Sequence, residues 1–245
     1  MIQDIFIIMW KEWKEIIIQR GSTRGGIISL LVIVLVLGIL PPIQWGPTWV
    51  ESPFALGLAL WIPLMLVSNV VSDSFAGERE RHTLETLLAS RLSDQAILFG
   101  KLAAAISYGW GIALATVLLG LVSINLAHGG NGFLLYEPKL GLGIILSSML
   151  SAGLSAGAGV LVSLHASSVR QAQQTLGLAI MLILIIPMFG IQALPPEIQL
   201  KIANIFLELN SWGVLRLILV SLLGLDIALI GAAMVRFQRN KLILD

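Results

Sequence analysis

Six long apolar runs leave this chain little choice of fold. They lie near residues 26–43, 54–71, 102–126, 140–164, 175–194 and 213–235. A helix that crosses a bilayer needs about 20 apolar residues, because the hydrocarbon core is about 30 Å thick and each helical residue rises about 1.5 Å. Backbone N–H and C=O groups find no water at that depth, so a spanning segment must be a helix or part of a closed barrel. Barrel strands alternate polar and apolar residues to serve lumen and lipid, and these runs do not alternate. With 57% hydrophobic residues, 12% charged residues and a mean hydropathy of +0.92, a soluble domain is excluded. The expectation is an all-α polytopic membrane protein, a single transmembrane domain over residues 1–245 with six spans. The sequence has no cysteine, which removes disulfides, thiolate nucleophiles and thiolate metal ligands.

The basic residues orient the bundle. With the amino terminus inside, the cytoplasmic segments hold Lys11, Lys14, Arg20, Arg24, Arg79, Arg81, Arg91, Lys101, Arg170, Arg236, Arg239 and Lys241, twelve of the fifteen Lys and Arg residues. Lys139 and Lys201 fall outside, and Arg216 sits just inside the outer end of the last span. The positive-inside rule then places both termini and residues 73–101 in the cytoplasm.

Residues 1–22 carry too much charge for a cleaved signal. Ile5, Phe6, Ile8, Met9, Trp13, Ile16 and Ile17 recur at helical spacings opposite Lys11, Glu12, Lys14 and Glu15. This predicts an amphipathic helix in the membrane interface, with Trp10 and Trp13 at headgroup depth. Between the second and third runs, Asp73 and Ser74 offer N-caps, Glu78 and Glu80 suit a first turn, Arg81 can pair with Glu85, and Leu84, Leu87 and Leu88 form an apolar face. Such a loop helix either caps its own bundle or enters a groove on a partner.

The residues from Phe75 to Ala89, followed by Leu92-Ser93 and Gly100-Lys101, resemble the loop of the ABC type-2 transporter permeases, where a Glu-Arg-Glu precedes Thr-Leu-Glu and Leu-Leu and a Gly-Lys opens the third span. The amino-terminal Lys-Glu, the six spans and the closing Arg236-Phe237-Gln238-Arg239 extend the likeness over essentially the whole chain. The resemblance implies a cytoplasmic coupling helix between spans 2 and 3 that docks on a separate ABC ATPase subunit, through Glu78, Arg79, Glu80, Thr83, Leu84, Glu85, Leu87 and Leu88. It also implies a second permease copy or paralogue, re-entrant helices near residues 195–212, and a prokaryotic plasma membrane. His82 departs from the family, which often has Gly there; a more helical loop is the expectation, because Gly costs about 1 kcal/mol in a helix interior. The chain has no Gly-x-x-x-x-Gly-Lys-Ser/Thr phosphate cradle, so ATP and Mg are expected on the partner and no cofactor, catalytic residue or metal ligand on this chain. No nucleic-acid partner is expected.

Within the spans, Ser147, Ser151, Ser155, Gly159 and Ser163 recur every four residues beside Gly153 and Gly157, the pattern of a helix packing seam. Gly153-Leu154-Ser155-Ala156-Gly157 matches the pattern of a serine-nucleophile elbow, but the motif needs a strand-to-helix turn and a histidine in reach, and this run lies inside an apolar helix. Asp226, mid-span, costs about 2.5–3.5 kcal/mol on insertion scales and should face protein or water. Arg216, ten residues earlier, is about 15 Å away along the axis and cannot pair with it. Pro63 and Pro187 sit inside spans and free backbone groups that neighbours must satisfy. The function expected is the permease subunit of an ATP-driven exporter. The alternatives are a secondary transporter or channel working through Asp226 and Asn69, and a membrane anchor that moves nothing.

Overall fold

The computed structural model describes residues 1–22, 24–83, 91–201 and 211–238. The described chain has these α-helices of four residues or more: α1 Ile2–Ser22, α2 Arg24–Trp45, α3 Thr48–Glu51, α4 Phe54–Ser72, α5 Asp94–His128, α6 Pro138–Ser163, α7 Val169–Ala193 and α8 Ser211–Arg236. No strand occurs among the described residues. By length and hydropathy four helical segments suffice to cross a membrane: Phe54–Glu80, Asp94–His128, Pro138–Ser163 and Trp212–Arg236. Leu30–Trp45 is a shorter apolar helix.

α4, α5 and α6 pack on one another, α1 and α2 pack on α5, and α8 packs on α6. α7 touches α4 and α6 more lightly. Small residues set these distances. A Cβ on Gly109 of α5 would stand 2.3 Å from Val67 Cγ2 of α4, and one on Gly159 of α6 would stand 2.8 Å from Val71 Cγ1 of α4. Without a hydrophobic drive between helices in lipid, such close van der Waals contact and interhelical hydrogen bonds hold a bundle together.

The serine stripe on α6 belongs to this seam. Ser151 Oγ donates to the Leu60 carbonyl (2.5 Å) and Ser155 Oγ to the Leu64 carbonyl (2.9 Å), so both bridge to α4 on either side of Pro63. That proline removes one N–H from the α4 ladder, and the helix nevertheless continues across it. Gly153 and Gly157 turn instead to α8, against Asp226 and Leu229. One helix thus presents two small-residue faces to two neighbours.

Two boundaries differ from the sequence reading. α4 does not stop near residue 71 and restart from caps at Asp73 or Ser74. It runs on through a π-helical segment, Asp73–Gly77, and one α turn, Glu78–Glu80. α5 begins at Asp94, eight residues before the apolar run, because Ser93 caps it by accepting from the Ala96 N–H at 3.2 Å. Charged residues that read as a loop are therefore helical. Of the expected coupling helix, Leu84, Glu85, Leu87 and Leu88 lie outside the described residues.

A buried charge cluster as the candidate functional site

The π segment brings the helix end around Glu78 against α1 and the start of α5. A π turn carries an extra residue and recurs at functional positions in helices. Here it sets Ser74, Phe75 and Glu78 toward the bundle: Phe75 and Glu78 are buried, and Ser74 Oγ donates to Glu12 Oε2 at 2.5 Å.

Lys101 is the centre of the site. Its side chain is 0% exposed, and its Nζ lies 2.8 Å from Glu78 Oε1 and 2.9 Å from Glu12 Oε1. It also donates to the Ser74 carbonyl (3.0 Å) and Ser74 Oγ (3.2 Å), with the Phe75 ring centroid 5.5 Å away. Lys11, partly exposed, adds contacts to Glu12 (3.2 Å), Glu15 (3.1 Å) and Glu78 (3.3 Å). Two ammonium groups thus face three carboxylates whose oxygens lie within 4.8 Å of one another. Such a trio has metal-ligand spacing, but both lysines already hold it. Gly100 makes the approach possible, since a Cβ there would stand 2.6 Å from Ile8 Cβ of α1. The Gly-Lys pair at 100–101 and the Lys-Glu pair at 11–12 are two halves of one contact.

Electrostatics follow the geometry. Burial alone would raise the Glu12 carboxyl, but Lys101, the Ser74 hydroxyl and Lys11 outweigh it and hold Glu12 below the ordinary carboxylate range. Burial would lower the Lys11 ammonium, and Glu12, Glu78 and Glu15 reverse this and hold it above its ordinary value. The sequence reading placed Glu12 on the polar face of α1. In the structure it is buried on the same face as Ile8 and Ile16, four residues to either side. Trp13 likewise docks on α5: its Nε1 donates to Ser107 Oγ at 2.9 Å and its ring meets Tyr108 edge-on, while Trp10 stays exposed under Lys14.

Each residue of the Glu78-Arg79-Glu80 run grips a different element. Glu78 joins α1 and α5 through the two lysines. Arg79 donates from both terminal nitrogens to the α6–α7 turn, to the Ala166 carbonyl at 3.1 Å and to the Leu164 carbonyl. Glu80 Oε2 accepts from the Val169 N–H at 3.1 Å, at the open amino end of α7. Arg81 pairs with Asp73 at 3.4 Å; Glu85, the partner expected from the sequence, lies outside the described residues. Thr83 donates its hydroxyl to the Glu78 carbonyl at 3.2 Å. From the far end of the chain, Phe237 packs edge-on against Phe75, with centroids 5.7 Å apart. His82 has φ of +55°, so the loop turns left-handed there and is not more helical; a glycine would take that conformation freely.

Beside the cluster opens a cavity of about 310 Å³, lined by Glu12, Glu15, Asn69, Asp73, Glu78 and Gln173 among others. Asn69 donates to the Met65 carbonyl of its own helix at 2.8 Å. Asp226 lines no part of this cavity. It is 6% exposed in the α6–α8 seam, where a Cβ on Gly153 would stand 2.7 Å from its Oδ2, and its Oδ1 has no hydrogen-bond partner among the described residues. The two intramembrane polar candidates, Asn69 and Asp226, therefore do not meet in one site. Arg216 sits over the Trp212 ring, 5.4 Å from its centroid.

Among the predicted docking residues, Glu78 joins the cluster, Thr83 bonds to the Glu78 carbonyl, and Arg79 and Glu80 turn to the α6–α7 corner. Lys101, Lys11, Glu12 and Ser74 were missed as site residues, though the paired Lys-Glu and Gly-Lys signals contained three of them.

No curated protein matches this chain. The model of the family described as ABC-2 type transporter matches residues 3–199, a stretch that holds α1 to α7 and the whole charge cluster. This chain, a multi-pass membrane permease, belongs to the ABC-2 type transporter family.

Proposed function

We propose that this permease is the transmembrane subunit of an ATP-driven exporter. A separate ABC ATPase, which binds ATP and Mg, docks on the segment from Glu78 to Leu88. The observation that carries this reading is the three-way grip of Glu78, Arg79 and Glu80, which ties the base of that segment to α1, α5, the α6–α7 turn and α7. A push on the segment is thereby a push on the bundle. Glu78, Arg79 and Glu80 anchor it, and Thr83, Leu84, Glu85, Leu87 and Leu88 present the docking face. This chain hydrolyses nothing. It has six spans, with both termini in the cytoplasm of a prokaryotic cell, and it works beside a second permease copy or paralogue. α1 serves as the interfacial helix. The low fixed charge of the spans favours an apolar or amphiphilic cargo.

The test is copurification from the native host with a carboxy-terminal tag, comparing wild type with Leu84→Asp combined with Leu88→Asp. These positions spare the anchoring contacts, which Glu80→Lys would disturb. An ATP-binding subunit recovered with wild type and lost with the variant is the expected result. No ATPase with folded wild type sinks the reading and directs attention to Asp226 and ion-gradient transport assays.

A further inference from the structure

At the end of the bundle opposite the charge cluster, a cavity of about 360 Å³ opens between α3, the start of α6 and the start of α8. Buried Leu56 and Leu215 contribute its apolar floor, and Glu51, Glu137, Lys139 and Trp212 stand on its lining. The rim is held in place. Trp49 Nε1 donates to Tyr136 Oη at 2.9 Å, and Tyr136 Oη donates to the Val117 carbonyl at 3.5 Å, so the short helix that carries Glu51 is fixed against the strip that carries Glu137. Burial pushes the Tyr136 phenol up to about 12, against the smaller opposing effect of its bond with Trp49. The phenol therefore keeps the proton it donates to Val117.

Among the described residues the charges on this rim are unspent. Neither Glu51 nor Glu137 makes an ion pair with any described residue, and Lys139 has only the Trp212 ring, 5.9 Å from its Nζ. Two carboxylates, one ammonium and an indole around an apolar floor form an amphipathic site of ordinary ligand-pocket size. It sits at the ends of membrane helices, the depth at which headgroups and aromatic rings meet.

We propose that this cavity binds a phospholipid with a zwitterionic amine headgroup. The ammonium lies between Glu51 and Glu137 and against Trp212, where a cation on the indole face is favourable. The phosphate meets Lys139 and the unsatisfied N–H groups of the first turn of α6. The first acyl carbons cover Leu56 and Leu215. An anionic headgroup without an amine would place its charge before two carboxylates and one ammonium, and a bare metal ion would leave the apolar floor uncovered.

The test uses the intact protein in detergent, offered equal amounts of dioleoyl phosphatidylethanolamine and dioleoyl phosphatidylglycerol and read by native mass spectrometry. Wild type should retain the ethanolamine lipid by about tenfold over the glycerol lipid, the size two partly exposed ion pairs supply together. Glu51→Gln combined with Glu137→Gln should bring the two lipids to near parity without lowering the unfolding temperature. Equal retention by wild type, or a preference that survives the double change, overturns the proposal. Photoactivatable phosphatidylethanolamine on wild type gives a reading that needs no variant. Labels on residues 51–56, 137–140 or 212–218 support the site, and labels confined to other segments refute it. Neither result depends on whether an ATPase docks at the opposite end.

Discussion

Replacing Lys101 by methionine tests the charge cluster most directly. Methionine nearly keeps the length and apolar stem of the side chain, so the main loss is the ammonium and its four acceptors: Glu78, Glu12, the Ser74 carbonyl and the Ser74 hydroxyl, at 2.8–3.2 Å. Two carboxylates, side chains 5% and 7% exposed, then lose their closest cation. Stranding a buried charge costs about 3–5 kcal/mol. Lys11 remains within 3.3 Å of both acids and is 42% exposed, so the low end, about 3 kcal/mol, applies. In a chain of this length each kcal/mol moves the unfolding midpoint by about 2–4 °C, which gives a fall of roughly 6–12 °C.

The assay is thermal unfolding in one detergent for wild type, Lys101→Met, Glu12→Gln and the double variant. Once Lys101 is gone, neutralising Glu12 removes one of the stranded charges, so the double variant should unfold above Lys101→Met. A coupling energy of about 1–3 kcal/mol is expected for groups in direct contact. Hydrogen exchange on α1 should quicken in Lys101→Met and be restored in part in the double variant. A midpoint within about 2 °C of wild type for Lys101→Met, or losses that simply add in the double variant, refutes the reasoning.

His82→Gly should stabilise the protein by about 1 kcal/mol, because a left-handed backbone at φ +55° costs an L-residue roughly that much and a glycine little; equilibrium unfolding in denaturant measures it. Acid should loosen the α1 anchor with a definite sign. The folded-state value of Glu12 lies below its ordinary 4.5, so its stabilisation is present above about pH 4.5 and drains away as pH falls through the depressed value. Unfolding midpoints taken from about pH 6 to about pH 3 should fall, and Glu12→Gln should flatten that fall; an unchanged slope in the variant removes Glu12 as its source.

The fold was largely legible because lipid imposes one rule on every span. Continuous apolar runs predicted helices at 140–164 and 213–235 near where they lie, and at 54–71 and 102–126 inside helical segments that extend further on the charged side, and the α6 serines were read correctly as a packing seam. Errors came where charge is buried. Glu78 and Lys101 look like loop residues because a lone charge belongs in water, and their burial rests on their pairing with each other and, for Lys101, with Glu12, 89 positions away. Amphipathic periodicity failed at Glu12 for the same reason, since it sorts residues by type and knows nothing of partners. The π turn left no local signal. His82 did leave one: its departure from the glycine that the resemblance implies pointed to backbone conformation and was read as helix propensity.

The cluster also constrains how this permease can move. Sliding the Glu78-Arg79-Glu80 turn alone past α1 and α5 would break the buried contacts of Lys101 at about 3–5 kcal/mol, and would strip the Arg79 and Glu80 bonds, charge-assisted and worth about 1.5–3 kcal/mol each. Moving the turn together with α1, the α5 start and the α6–α7 corner breaks none of these. The difference of several kcal/mol selects the concerted motion. A force applied at residues 78–83 should therefore reach the outer ends of α4 and α5 as a rigid-body displacement. A spin-label pair on exposed positions of α1 and α5 should keep its distance through any change of state.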